Sequence, residues 1–288
     1  MQPFQAGKPH WWQWPTVLSL DAPAVAVAWQ WLVARSAGDT LAWHHHVVLG
    51  VSVWLAYSAD RWIEGWRLPA DQMQTQRHLF YLQHRWTTFV GWVTMLVAAV
   101  GLAVHTLSLR ELQSGLLVLL PVLLYLLSHQ LVHRHHPLRV PKEMCVALLF
   151  AAGVVCFTLA RIPNAWSQVA APLGLFGLLC FTDCALISLW EHEVDRHHGQ
   201  TSLALQYPGS RRLVRLLPWI IAAIALGFAV TESGPLRIAT LCAAASGVLL
   251  GLVDRRHPRH GRQLSRVLAD VVLLTPLVPW GLAALLGS

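Results

Sequence analysis

The segment WSQVAAPLGLFGLLCFTDCALISLWEHEVDRHHGQTS, residues 166–202, decides the fold. The chain carries no Asp, Glu, Lys or Arg between residues 162 and 182, and the apolar character continues to residue 190. A helix over 168–190 is long enough to cross the hydrocarbon core of a bilayer, which takes about 20 apolar residues. The charged residues that follow, from Glu191 to Arg196, are typical of the point where a span leaves the membrane.

The same pattern recurs along the whole chain of 288 residues. Charged residues make up only 12% and hydrophobic residues 55%, which excludes a disordered chain, a nucleic-acid-binding domain and an ordinary soluble enzyme. We therefore predict an all-α, polytopic membrane protein that forms a single transmembrane domain over residues 1–288. The nine predicted spans are 16–35, 41–59, 87–107, 113–133, 143–161, 168–190, 213–231, 236–253 and 267–286.

The basic residues predict the orientation of these spans. If the N-terminus is cytoplasmic, 17 of the 21 Lys and Arg lie in the N-terminal segment, in the segments after spans two, four, six and eight, or in the first three residues of span seven. Cytoplasmic segments carry such an excess of positive charge. We expect a multi-pass protein of the cell membrane, with Ser288 on the outer side.

Two pairs of acidic residues stand at the predicted cytoplasmic ends of spans. Asp60 and Glu64 follow span two, and Glu191 and Asp195 follow span six. A spacing of four residues places two carboxylates on one helix face, about 6 Å apart along the axis. A divalent cation such as Mg²⁺ would relieve their repulsion and would accept phosphate oxygens as further ligands. The alternative is that these acids only neutralise the basic cytoplasmic segments.

The tract Glu191-x3-Asp195-x3-Gly199-x2-Ser202 resembles the second aspartate-rich motif of the UbiA superfamily of intramembrane prenyltransferases. Asp60-x3-Glu64 lies where that superfamily has its first motif, of the form NDxxDxxxD, and the nine spans also match. Two departures stand out in the first motif, where Ala56 and Tyr57 replace the family's Asn and Asp. The resemblance implies nine helices around a central cavity.

The resemblance also implies a function and the residues that perform it. Mg²⁺ bound by Asp60, Glu64, Glu191 and Asp195 would hold an isoprenyl diphosphate, which reacts with an unknown acceptor inside the membrane. Lys142, Arg139 and Arg61 would stabilise the departing diphosphate. Tyr57 could line the cavity and stabilise an allylic cation with its ring face. The implied partners are this donor, the acceptor and membrane lipid, without nucleic acid.

Three alternatives stay open from the sequence. A terpene cyclase of the same fold would use the same diphosphate site. A non-haem iron oxidase or desaturase would use histidine boxes, of which His129-x3-His133-Arg134-His135-His136 and His197-His198 are the candidates. A non-enzymatic, lipid-binding relative would have kept the fold and lost a metal site. An interfacial, amphipathic helix within residues 65–85 could cover the pocket in any of these cases.

Overall fold

A computed structural model describes residues 9–67, 76–131, 141–197 and 202–286 of the chain. The side chains of residues 64–67, 76–78, 129–131, 194 and 197 lie outside this description. Helices make up nearly all of the described residues, and no strand occurs among them. The predicted all-α membrane fold is confirmed.

Thirteen α-helices follow one another along the described chain, and three short 3₁₀ turns at 11–13, 163–165 and 208–210 adjoin them. Their bounds are α1 Trp14–Val17, α2 Asp21–Ser36, α3 Trp43–Arg67, α4 Gln76–Gln83, α5 Arg85–Thr106, α6 Leu109–Leu131, α7 Lys142–Arg161, α8 Trp166–Trp190, α9 His192–His197, α10 Leu203–Gln206, α11 Arg211–Thr231, α12 Gly234–Val272 and α13 Leu277–Leu286.

Six helical segments of the described chain are long and apolar enough to cross a membrane. The bent pair of Trp11–Val17 and Asp21–Ser36, whose two parts meet at an angle of 76°, makes a seventh if it is counted as one broken span. Helices lie at all of the first eight predicted spans, but α3 does not meet the same test of length and composition. The count of nine spans therefore stays a prediction.

The largest difference from the predicted spans lies near the C-terminus. The expected loop at 254–266 is helical, because α12 continues through Pro258 and bends only at Gly261. Gly261 has a φ of 73°, a left-handed conformation that glycine adopts without steric cost. The predicted ninth span, 267–286, is divided between the end of α12 and the shorter helix α13.

The main core joins α2 and α8 to the end of α12. The Trp29 and Phe176 rings are fully buried and stack with their centroids 4.9 Å apart. The Trp29 indole N–H donates to the Leu273 carbonyl oxygen at 2.8 Å. This pairing satisfies the one polar atom of the buried indole and fixes α2 against the turn after α12.

A charged network closes the bundle at the end opposite the two acidic pairs. The Arg161 guanidinium contacts Asp39 at 3.1 Å and Glu111 at 3.5 Å. Glu111 also lies 2.9 Å from His45 Nε2. These four residues connect α3, α6 and α7 with the segment after α2, so this end of the helices is held by polar contacts rather than by apolar packing alone.

Two helix pairs differ in how closely they pack. Helices α11 and α12 approach at Gly247 and Gly251, where a Cβ atom would lie 2.8 Å from the Pro218 carbonyl oxygen and 2.6 Å from the Trp219 ring. Helix α5, in contrast, buries none of its residues. Its contact with α3 includes a hydrogen bond from the Trp92 indole to the Leu55 carbonyl oxygen, 2.9 Å long.

Candidate functional site

Helix α3 carries the first acidic pair on its last turns. Asp60 is half-buried, and Glu64 lies one turn further along, with its side chain outside the described residues. Arg61 is 8% exposed, and its guanidinium lies 6.0 Å from the centre of the Tyr57 ring. Tyr57 meets Phe150 of α7 edge to face, with the centroids 5.8 Å apart. The ring of Tyr57 therefore faces the bundle interior between Arg61 and α7.

The second acidic pair lies at the junction of α8 and α9. The predicted sixth span ends at residue 190, and α8 ends at Trp190, with Glu191 in the turn before α9. The Asp195 amide still donates to the Glu191 carbonyl oxygen at 2.9 Å, so the two acids remain one helical turn apart. Both side chains are buried, with exposed fractions of 8% and 5%.

Glu191 has a strong partner on α12. The Arg266 Nη1 atom donates to Glu191 Oε2 at 2.7 Å, and both side chains are mostly buried. A charge-assisted hydrogen bond of this length is a strong one. One oxygen of the leading acid is therefore already engaged by the protein itself.

The start of α7 brings two more charged groups to the same end of the bundle. Lys142, the first residue of α7, is half-buried, whereas Arg139 lies outside the described residues. Glu143, which follows Lys142, is 1% exposed and accepts a hydrogen bond from the Leu203 amide at 2.9 Å. Glu143 thereby holds α10, which follows the second acidic pair, against α7.

Two interior side chains show that these elements surround one region. The Cys184 thiol of α8 lies within electrostatic range of Lys142 and Glu143. The Tyr125 phenol of α6 lies within electrostatic range of Asp60 and Glu143. The ends of α3, α6, α7 and α8 therefore lie near one another at this end of the bundle.

Three further carboxyl groups lie deeper than the two motifs. Asp183 is buried in α8, and its Oδ1 atom has no hydrogen-bond partner within the described residues. Asp270 of α12 and Asp21 of α2 are hydrogen-bonded to each other.

Helix α4 packs against α3 and α1. Tyr81 is 2% exposed, and its hydroxyl donates to Ser19 Oγ at 3.3 Å. Phe80 meets Trp14 edge to face at 6.0 Å. The apolar side of α4 thus packs on the segment where the chain bends before α2.

Within the described side chains, no group of three or more His, Cys, Asp or Glu residues is arranged to hold a metal ion. Two carboxylates one turn apart still suit Mg²⁺, which is commonly bound by one or two carboxylates and by substrate phosphates. The candidate histidine boxes fall on side chains outside the description, at His129, 133–136 and 197–198.

A search of solved structures shows which known architecture this helix arrangement repeats. The apo structure of a UbiA homologue from Aeropyrum pernix K1 matches with a TM-score of 0.64 over 92% of this chain and 98% of that chain. The chain has the UbiA fold. The two sequences are 13% identical, so the likeness concerns the fold alone. No protein-family model and no curated protein sequence matches the chain.

Within this UbiA fold, the sequence located the acidic pairs but missed three charged residues. Arg266, Glu143 and Asp270 have roles that depend on contacts with residues far away in the chain. The one available signal was that each is a charged residue inside, or at the edge of, a predicted span, where a charge is costly without a partner.

Proposed function

We propose that this chain is a UbiA-type intramembrane prenyltransferase that uses Mg²⁺ and an isoprenyl diphosphate. One observation carries the proposal. Within a UbiA fold, buried Glu191 and Asp195 lie at the same end of the bundle as Asp60 and Lys142. Acidic and basic residues gathered in this way are what a metal-bound diphosphate requires.

The proposed roles follow from the position of each group. Mg²⁺ would be held by two pairs of acids, Asp195 with Glu191 and Asp60 with Glu64. When bound, Mg²⁺ would neutralise the negative charge of the diphosphate. Lys142, Arg139 and Arg61 would bind phosphate oxygens directly. Tyr57 would line the cavity for the isoprenyl group, and α4 would cover the site and exclude water.

The first prediction tests the better-defined motif. Asp195→Asn keeps the shape of the side chain but removes one charge, so we expect loss of diphosphate binding and a rate reduced about a hundredfold or more, with the fold retained. The measurement is turnover of isoprenyl diphosphates of several lengths by the purified protein. Glu232→Gln, at the far end of α11, is the charge-matched control. Unchanged turnover in Asp195→Asn would remove this motif from the site.

The second prediction concerns metal binding at α3. With Ala56 and Tyr57 in place of acidic and amide ligands, Asp60 and Glu64 should bind Mg²⁺ weakly until phosphate oxygens complete the octahedral shell. Mg²⁺ and a non-hydrolysable isoprenyl diphosphate analogue should therefore raise each other's affinity by the same factor. Calorimetric titrations of each ligand with and without the other measure this. An analogue that binds equally well in EDTA contradicts the metal bridge.

The ion pair between Glu191 and Arg266 favours a second candidate, a lipid-binding relative without catalysis. In that case the arginine takes the place that a metal ion would hold, and the protein retains the cavity only. Binding of an isoprenyl lipid without turnover, at any Mg²⁺ concentration, would identify this function. Release of a cyclic hydrocarbon without an acceptor would instead identify a cyclase.

A further inference from the structure

A second concave site lies outside the interior region, between α9, α11 and the part of α12 that follows Gly261. It is a half-open cleft of about 310 Å³. Three arginines line it: Arg211 and Arg215 from the first turns of α11, and Arg262 from α12. The indole of Trp190 and the side chain of His192 complete its wall.

The positive charge in this cleft is poorly compensated. Glu193 is its one acidic lining residue. Arg215 lies 3.8 Å from Asp254, whose carboxylate also accepts the Trp190 indole N–H at 3.0 Å. Arg211 and Arg262 form no ion pair within the described part of the chain. Guanidinium groups gathered in a concave site attract an anion with several acceptor oxygens.

The start of α11 adds positive charge to the cleft rather than neutralising it. The first turn contains Arg211 and Arg212 and no acidic residue. Ser210, which precedes the helix, donates its hydroxyl to the Tyr207 carbonyl oxygen and does not cap the helix. Helix N-termini normally attract acidic groups because their free amides carry partial positive charge. Here that charge and the arginines have the same sign.

An exposed apolar surface adjoins the cleft. Leu213 and Leu216 of the same helix are 58% and 55% exposed, so the turns next to the arginines present an apolar surface to the acyl chains. One turn further along α11, the Arg255 guanidinium lies over the Trp219 ring at 4.4 Å, a combination common at membrane interfaces. A ligand in the cleft can therefore have both a charged head and an apolar tail.

We propose that this cleft binds the phosphate group of an anionic membrane lipid. The site is separate from the candidate diphosphate site, because Glu191 and Asp195 are buried whereas Glu193 is exposed and lines the cleft. The proposal does not depend on the proposed prenyltransferase activity. The phosphate oxygens of the lipid would lie between Arg211, Arg215 and Arg262, and its acyl chains would lie against α11.

The test uses the full chain in micelles that contain either phosphatidylglycerol or phosphatidylcholine, with native mass spectrometry to count retained lipids. Arg211→Gln and Arg262→Gln should each weaken retention of phosphatidylglycerol about fivefold, the effect of removing one basic group near an anionic surface. Arg237→Gln, at the opposite end of α12, is the charge-matched control and should change nothing. A thermal unfolding scan of each variant checks that the fold is retained.

The other outcomes either support or overturn the proposed lipid site. Equal retention of the two lipids by the unaltered chain, or an equal loss in Arg237→Gln, overturns the site. Displacement of phosphatidylglycerol by inorganic phosphate at the same concentration overturns the lipid assignment and identifies a soluble phosphate compound as the ligand. Loss of phosphatidylglycerol alone, confined to the two cleft variants and resistant to inorganic phosphate, supports the proposal.

Discussion

Arg266 decides whether the leading acid of the second motif is a structural or a metal-binding group. Its guanidinium lies 2.7 Å from Glu191, and both side chains are largely withdrawn from solvent. Arg266→Gln would leave a buried carboxylate without its cation, which typically costs about 3 kcal/mol. We therefore expect a clear loss in the free energy of unfolding, measured by denaturant titration in micelles.

Two companion variants make this third prediction specific. Arg256→Gln removes an exposed arginine of the same helix and should leave stability unchanged. The double variant Glu191→Gln with Arg266→Gln should recover much of the loss, because neither charge is then left alone. If the double variant is as unstable as Arg266→Gln, the ion pair is not what stabilises this junction.

Helix packing at Gly247 gives the fourth prediction, at the scale of the element. A Cβ atom there would lie 2.8 Å from the Pro218 carbonyl oxygen and 3.2 Å from the Ala222 amide nitrogen, both backbone atoms of α11. Backbone cannot move aside as a flexible side chain can, so Gly247→Ala must separate α11 from α12. We expect a destabilisation of about 2 kcal/mol in the same unfolding measurement.

Gly227→Ala is the matched control for this packing prediction. Gly227 lies in α11 itself, and nothing lies within 4 Å of the position its Cβ would take. Alanine has the higher helix propensity, so this variant should be as stable as the unaltered chain or slightly more stable. Equal losses in both variants would mean that the effect arises from helix formation and not from the close approach.

Elements differ in how far the sequence predicts them. The spacing of Gly247 and Gly251 predicts a close helix contact, because small residues four apart permit it, and the structure confirms it. The continuation of α12 through Pro258 is not predicted, since proline usually ends a helix. The bend occurs three residues later, at Gly261, where the backbone adopts a positive φ.

In the candidate site, too, local spacing predicts some features but not the contacts between residues far apart in the chain. The two acidic pairs follow from local spacing, and the structure places them at one end of the bundle. The contact of Arg266 with Glu191 joins residues 75 positions apart, and that of Glu143 with Leu203 joins residues 60 positions apart. No periodicity within a single span indicates which distant residue satisfies a buried charge.

Orientation is the fifth prediction and belongs to the whole molecule. The distribution of basic residues predicts a cytoplasmic N-terminus, and an odd number of spans then places Ser288 outside. A reporter active only in the cytoplasm, fused after Ser288, should be inactive, whereas the same reporter before Met1 should be active. Activity at both ends would mean an even number of spans. This is the relevant alternative because the last predicted span is divided between α12 and α13.

The lack of buried residues in α5 has a consequence for how the protein responds to its surroundings. A helix of 22 residues is about 33 Å long, so it fits an average bilayer and must tilt in a thinner one. The Trp92 indole connects it to the Leu55 carbonyl of α3, five residues before Asp60. Membrane thickness should therefore act, through the slope of one lipid-facing helix, on the position of an acidic residue in the candidate site.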